Sequence, residues 1–193
     1  MTRLPCLTAA LFYVALAAAA NPAAALTPDQ RAGLEALRTG DMRKLVVEEA
    51  PFPAPDEPLS TADGAVTTLA AQPGRLRLVN FWATWCAPCR KEMPSLAALA
   101  NSRADRGLAL VLVATGRNSP EAIERFADEV GLPGMATLLD PRSRLAAAMG
   151  IPGLPVTILL DAQGTEIARL FGEADWNAPE AQAVVDYLLA LPE

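Results

Sequence analysis

Cys86 and Cys89 are separated by Ala87 and Pro88, and they stand where a strand-forming run gives way to a helical one. A C-x-x-C at such a junction puts its first sulfur at a helix amino terminus. There, N–H groups without intrahelical partners and the positive end of the helix dipole favour a thiolate. The chemistry this pattern supports is thiol–disulfide exchange. Cys86 is expected as the exposed nucleophile; Cys89, one turn further on, attacks the mixed disulfide formed at Cys86 and closes a Cys86 to Cys89 bridge. Pro88 suits its place because its missing N–H falls in the first turn, where no intrahelical acceptor is lost.

Other uses of the pair are weaker. Zinc wants four ligands, and the chain offers 3 cysteines and no histidine. A static disulfide over so short a loop constrains the unfolded chain little. A peroxide-reducing cysteine of the peroxiredoxin type wants Pro and Thr upstream, where Val79 and Ala83 stand. Two readings stay open beside a reductase: a Cu(I)-binding module, since two thiolates hold soft copper, and a disulfide oxidase or isomerase, since Ala-Pro between the cysteines does not by itself fix the potential. No metal or other cofactor is expected.

The elements that must position the pair alternate strand and helix. Arg75 to Ala83 reads as a strand, Ala87 to about Arg103 as a helix with a kink at Pro94, and Leu108 to Thr115 as a buried aliphatic strand. This unit predicts a parallel pair. A helix from Ser119 to Val130, a short strand from Met135 to Asp140 and a helix from Arg142 to Met149 follow. Val156 to Asp161 and Glu166 to Phe171 flank a turn and predict a hairpin, and Pro179 to Leu191 predicts a closing helix. Upstream, Thr27-Pro28-Asp29-Gln30 reads as a capping box opening a short helix that Gly40 can end. The prolines at 51, 53, 55 and 58 mark a linker, and Thr61 to Val66 holds an Asp-Gly turn for a small hairpin. The expectation is an α/β domain over 59–193, preceded by a short helix and Pro-rich linker over 26–58.

Composition narrows the partners. The chain has 193 residues, 16 Lys plus Arg against 22 Asp plus Glu, and a net charge of -6, which leaves no basic footprint for nucleic acid. At the amino terminus Arg3, the apolar run Leu4 to Ala20 and the small residues Ala23 to Ala25 read as an export signal cleaved after Ala25. The rival is an uncleaved membrane anchor, because Leu4 to Ala20 lies at the lower edge of the about 17 to 25 residues that span a bilayer. Cys6 precedes the apolar run and would leave with a cleaved signal. Export places the remaining pair in a compartment where disulfides form.

The segment from Asn80 to Pro94, N-F-W-A-T-W-C-A-P-C-R-K-E-M-P, resembles the active-site segment of the TlpA/ResA-type periplasmic thioredoxin-like disulfide reductases. The likeness continues through Gly153 to Asp161 and Ala174-Asp175-Trp176, covers about Leu59 to Leu191, and in Gly40 to Leu45 extends to TlpA proteins specifically. It implies a thioredoxin fold: a central mixed β-sheet flanked by helices, with an N-terminal hairpin and a central insertion. It implies that Pro155 is a cis-proline facing the dithiol, and that Trp85, Ala87, Pro88 and Leu154 line the substrate-binding surface. Phe81 and Trp82 are expected in the core, Trp176 packed under the last helix, and Glu121, Glu124, Asp128 and Glu129 on a solvated helix side. Thioredoxins carry a buried Asp where Asn80 stands, so proton handling passes elsewhere. Glu92, three residues beyond Cys89 on the same helix face, matches a family glutamate near the dithiol; if half-buried, its pKa should rise and it could shuttle a proton for Cys89, the alternative being a solvated glutamate beside Arg90 and Lys91. The resemblance further implies a periplasmic reductase, soluble or anchored by residues 4–20. It would be supplied with electrons by a membrane thiol transporter of the CcdA or DsbD kind. Its client proteins carry disulfides: copper-site assembly proteins of the respiratory oxidase, or apocytochrome c.

Overall fold

The computed structural model describes residues 26–192; the expected signal or anchor, with Cys6, lies outside them. Eight strands form one sheet: β1 (Leu45–Pro53), β2 (Leu59–Ser60), β3 (Val66–Thr67), β4 (Leu76–Trp82), β5 (Leu108–Thr115), β6 (Leu138–Asp140), β7 (Val156–Asp161) and β8 (Thr165–Phe171), in the order β1-β8-β7-β4-β5-β6-β2-β3. The helices are α1 (Pro28–Ala36), α2 (Ala87–Ser102), α3 (Pro120–Glu129), α4 (Arg144–Ala148) and α5 (Pro179–Ala190).

β4 is buried along its whole length because it has a strand on either edge and helices over both faces. It runs parallel to β5, from Leu76 opposite Leu108 to Trp82 opposite Ala114, with α2 as the crossover. On its other edge it is antiparallel to β7, with Asn80 opposite Thr157. Side chains alternate along a strand. Leu76 and Leu78 therefore join Leu96 and Leu99 of α2 and Val184 and Leu188 of α5, whereas Val79 and Phe81 pack with Val111, Val113 and Leu145. Asn80 shares the face of Leu78, so a polar side chain is carried into the layer between sheet and α2. The β2–β3 hairpin pairs with β6, and α3, β6 and α4 lie between β5 and β7 as the insertion. The mixed sheet flanked by helices is as the sequence led us to expect.

Several local expectations change. The Pro-rich stretch is no plain linker: β1 continues to Pro53 and pairs with β8, with Phe52 opposite Glu166 and Pro53 opposite Thr165 after an irregularity. Its prolines are tolerated because β1 is an edge strand, whose outer N–H positions need no ladder partner. The capping box of α1 is present, with Thr27 and Gln30 bonded reciprocally, but the helix ends at Leu37. Gly40, with φ of +51°, opens a short 3-10 turn over Gly40–Lys44 instead. Leu34, Met42, Leu45 and Val47 enter the core beside Trp176 and Val184, so this segment is packed into the same body as the sheet. α4 starts at Arg144, where the Asp140 carboxylate accepts the N–H groups of Arg144 and Ala146 at 2.8 and 3.0 Å.

Candidate active site

β4 ends at Trp82, and four residues later the chain turns into α2 with Cys86 as its N-cap. Cys86 and Cys89 form a disulfide, with Cα atoms 5.3 Å apart. Cys86 Sγ also accepts the N–H of Cys89 at 3.3 Å, one of the helix-end donors that the N-cap position offers. Cys89 is wholly buried, and Cys86 keeps only 4% of its surface, so the expected exposed nucleophile is corrected to a nearly buried one. The reason is its neighbours: both sulfurs lie in the cluster of Trp82, Met93, Ala114 and Phe126, with Leu154 against it. What the solvent meets is the surrounding rim, Trp85 at 69% exposure together with exposed Ala87 and Pro88.

The loop before the disulfide is fixed from two sides. Asn118, just past β5, accepts Thr84 N–H at 2.8 Å and the Thr84 hydroxyl at 3.1 Å, while its own amide donates to the carbonyls of Thr115 and Gly116. Arg90 donates to Thr84 O at 3.1 Å, lies 4.7 Å over the Phe126 ring and pairs with Glu129 of α3. Glu129 is therefore paired with the active-site helix, whereas Glu121, Glu124 and Asp128 are solvated as expected.

Leu154-Pro155 is a cis peptide at the entry to β7. Leu154 and Trp85 share a groove of about 250 Å³ with Gly116, Ser143, Ala147 and Ile151, so two of the expected substrate-surface residues face one space. Pro155 itself is buried in front of β7.

Glu92 is buried rather than solvated, at 2% exposure. Its Oε1 accepts Asn80 Nδ2 at 2.8 Å; its Oε2 accepts the Ala174 N–H at 3.2 Å and Trp176 Nε1 at 3.4 Å. Burial is the dominant influence and pushes its pKa up to about 7, with the three hydrogen bonds pulling the other way and the charge of Glu173 adding to the rise. Asn80 Nδ2 also donates to Thr157 Oγ1 at 2.9 Å, while its Oδ1 is buried with no hydrogen-bond partner among the described residues. A cavity of about 410 Å³, lined by Asp41, Lys44, Lys91, Ser95, Glu173 and Asp175, reaches Glu92 from the far end of the segment that follows β8.

The sequence located the pair and Glu92 but missed what holds the carboxyl. From its type alone Asn80 is a residue unable to take a proton, yet it makes the shortest hydrogen bond to Glu92. Trp176 is packed as expected, wholly buried, and its indole N–H is spent on the same carboxylate. A polar residue in the middle of an otherwise apolar β4 was the available signal for Asn80. Asn118 carried none.

A Redoxin family model matches residues 48–185. The chain is similar to the thiol:disulfide interchange protein HelX of Rhodobacter capsulatus, at 32% identity over 116 residues, which is 60% of this chain and 62% of HelX. It is similar to the thiol-disulfide oxidoreductase ResA of Geobacillus thermodenitrificans, at 33% identity over 111 residues, 58% of this chain and 63% of that protein. The match thus spans less than two thirds of either curated relative. The thioredoxin domain of a thiol-disulfide oxidoreductase from Bacteroides vulgatus superposes with a TM-score of 0.61 at 25% identity, covering 74% of this chain and 99% of that domain. The fold is thioredoxin-like. With the family model matched across residues 48–185, which is more than half of its length, the chain belongs to the Redoxin family.

Proposed function

We propose that the chain is a thiol:disulfide oxidoreductase that works as a reductase of protein disulfides in the periplasm. The observation that carries this reading is the Cys86–Cys89 disulfide at the amino terminus of α2, with buried Glu92 one turn beyond. In the reduced chain the Cys86 thiolate attacks one sulfur of a client disulfide. A Cys86–client disulfide forms, and the client's second sulfur leaves as a thiolate that takes a proton. Cys89 then loses its proton, attacks Cys86 Sγ and releases the client's first sulfur as a second thiol. Two electrons and two protons pass from the dithiol to the client, and the bridge seen here is the oxidised product.

In this reading Glu92, three residues beyond Cys89 on α2, takes the proton from Cys89 in the second attack. A carboxyl with a pKa near neutrality accepts and returns a proton at small cost. The cavity lined by Asp41, Lys91 and Glu173 gives it a route to solvent distinct from the groove under Trp85 and Leu154. In that groove the cis Leu154-Pro155 bond presents the Leu154 backbone to an extended client strand, with no proline N–H beside the sulfurs. Trp85, Ala87 and Pro88 form the rest of the client-facing surface.

Periplasmic placement rests on the export-type amino terminus, with residues 4–20 either removed or retained as an anchor; among the described residues no helix is long and apolar enough to cross a membrane. The electron donor is a membrane thiol transporter of the CcdA or DsbD kind, and the client is a copper-site assembly protein or apocytochrome c. The names of HelX and ResA, an interchange protein and an oxidoreductase, support the exchange chemistry.

The test is a trap. With Cys89→Ser the mixed disulfide at Cys86 has no resolving thiol, so a client should accumulate on Cys86 in periplasmic extract and be identified by mass spectrometry. A wild-type reduced chain that leaves insulin disulfides intact, while binding Cu(I) tightly at one equivalent, would replace the reductase with the copper module.

A further inference from the structure

Two loops meet beside Trp85, the residue before Cys86. Gly116, with φ of +75°, follows β5 and donates its N–H to the carbonyl of Asp140 at 2.9 Å; Ser143 donates to the same carbonyl at 3.0 Å. A Cβ placed on Gly116 would stand 3.7 Å from Ser143 Oγ, so the loops are in van der Waals reach of each other. Both residues line the apolar groove that also holds Trp85, Ala147, Ile151 and Leu154.

Each loop carries an exposed arginine next to its lining residue, Arg117 after Gly116 and Arg142 before Ser143. Neither makes an ion pair or a side-chain hydrogen bond among the described residues. Two other cations close to these loops in sequence or to the disulfide are paired: Arg144 with Glu57 at 3.1 Å and Arg90 with Glu129. Asp140, which lies between the loops, is 2% exposed, and its carboxylate accepts the N–H groups at the start of α4. A chain of net charge -6 thus keeps uncompensated positive charge on the two loops that frame its apolar groove.

We infer that this groove receives an acidic segment of the client protein next to the client's disulfide, with an apolar side chain in the groove and carboxylates at Arg117 and Arg142. The inference rests on the reading that Cys86 attacks a protein disulfide, and it names the class of client sequence. Exposed charge pairs add little affinity each, yet they steer encounter and fix register, while the apolar floor beside Trp85 supplies the buried contact. An unselective reductase would gain nothing from two unpaired cations of one sign on the loops that line its groove.

Disulfide-linked peptides of one sequence test this, differing only in two residues after the cysteine: Glu, Gln or Lys at both. The reduced wild-type chain should reduce the Glu peptide with a kcat/KM about 3- to 10-fold above that of the Gln peptide at low ionic strength, the ratio shrinking as salt is added. In R117Q/R142Q that ratio should fall to about one. In R117E/R142E the preference should invert toward the Lys peptide, an outcome that a damaged fold does not produce. Equal wild-type rates on the Glu and Gln peptides, or an unchanged ratio in R117Q/R142Q, would overturn the inference. If no peptide reacts while hydroxyethyl disulfide is reduced, the acidic-client inference fails and the exchange reading stands; if neither reacts, the exchange reading itself fails.

Discussion

The chain buries two glutamates to the same degree, Glu92 on α2 and Glu166 on β8, each 2% exposed. Glu166 is gripped by Arg169, whose Nε and Nη2 reach its two carboxylate oxygens at 2.5 and 2.7 Å. Glu92 is held instead by Asn80, Ala174 and Trp176, at longer distances and with every donor neutral. Burial raises both pKa values; at Glu166 a guanidinium opposes the rise, while at Glu92 only dipoles do, and the pKa climbs to about 7. A buried carboxylate with its own cation is an ionic clasp. One held by neutral donors is free to change protonation near neutral pH, and that is the one placed a helical turn from Cys89.

The strongest way to break this contrast is to remove the cation. Arg169→Met should cost about 3–5 kcal/mol of stability in denaturant unfolding near pH 7, because Glu166 is left buried without its cation and with Glu48 nearby. The exchange pH profile should stay in place, since Glu92 is untouched.

Next comes Glu92→Gln. Below pH 4.5 this carboxyl is neutral in both the folded and the unfolded chain. Between 4.5 and about 7 only the unfolded chain gives up the proton, so wild-type stability falls by about 3 kcal/mol as pH rises and stays lower above that window. The glutamine variant should lack this fall in pH-dependent unfolding. It should also lack the limb of the exchange rate that rises through about pH 7 as Glu92 becomes able to accept the Cys89 proton. The amide is accommodated because rotating Asn80 brings its unpartnered Oδ1 to the new N–H group. A rising limb that persists in the glutamine variant would transfer the proton role away from Glu92.

Asn80→Ala sharpens the comparison by the smallest step. It removes the donor that does most to hold the Glu92 pKa down, so the rising limb should move about one pH unit to the alkaline side. A shift to the acid side would mean that desolvation is not what governs Glu92.

Legibility in the sequence followed the range of the interaction. The C-x-x-C, its place at the start of α2, Pro88 in the first turn and Glu92 on the inner helix face all rest on residues a few positions apart, and helical geometry fixes them. The edge strand over Leu45–Pro53 was obscured by its prolines, because only its pairing with Thr165 and Glu166 makes it an edge. The clasp on Glu92 was hidden for a similar reason: Ala174 and Trp176 lie more than eighty positions downstream. The depth of Cys86 depends on Phe126 and Leu154, brought by α3 and the loop before β7.

By itself the sequence determined the chemistry: two cysteines one helical turn apart, no histidine, and a carboxyl on the same face. Tertiary structure alone decided the protonation behaviour of that carboxyl and the charge around the groove. Both depend on how much water is excluded and on which distant dipoles and cations fill the space, and these quantities exist only once strands and helices from the whole chain have packed together.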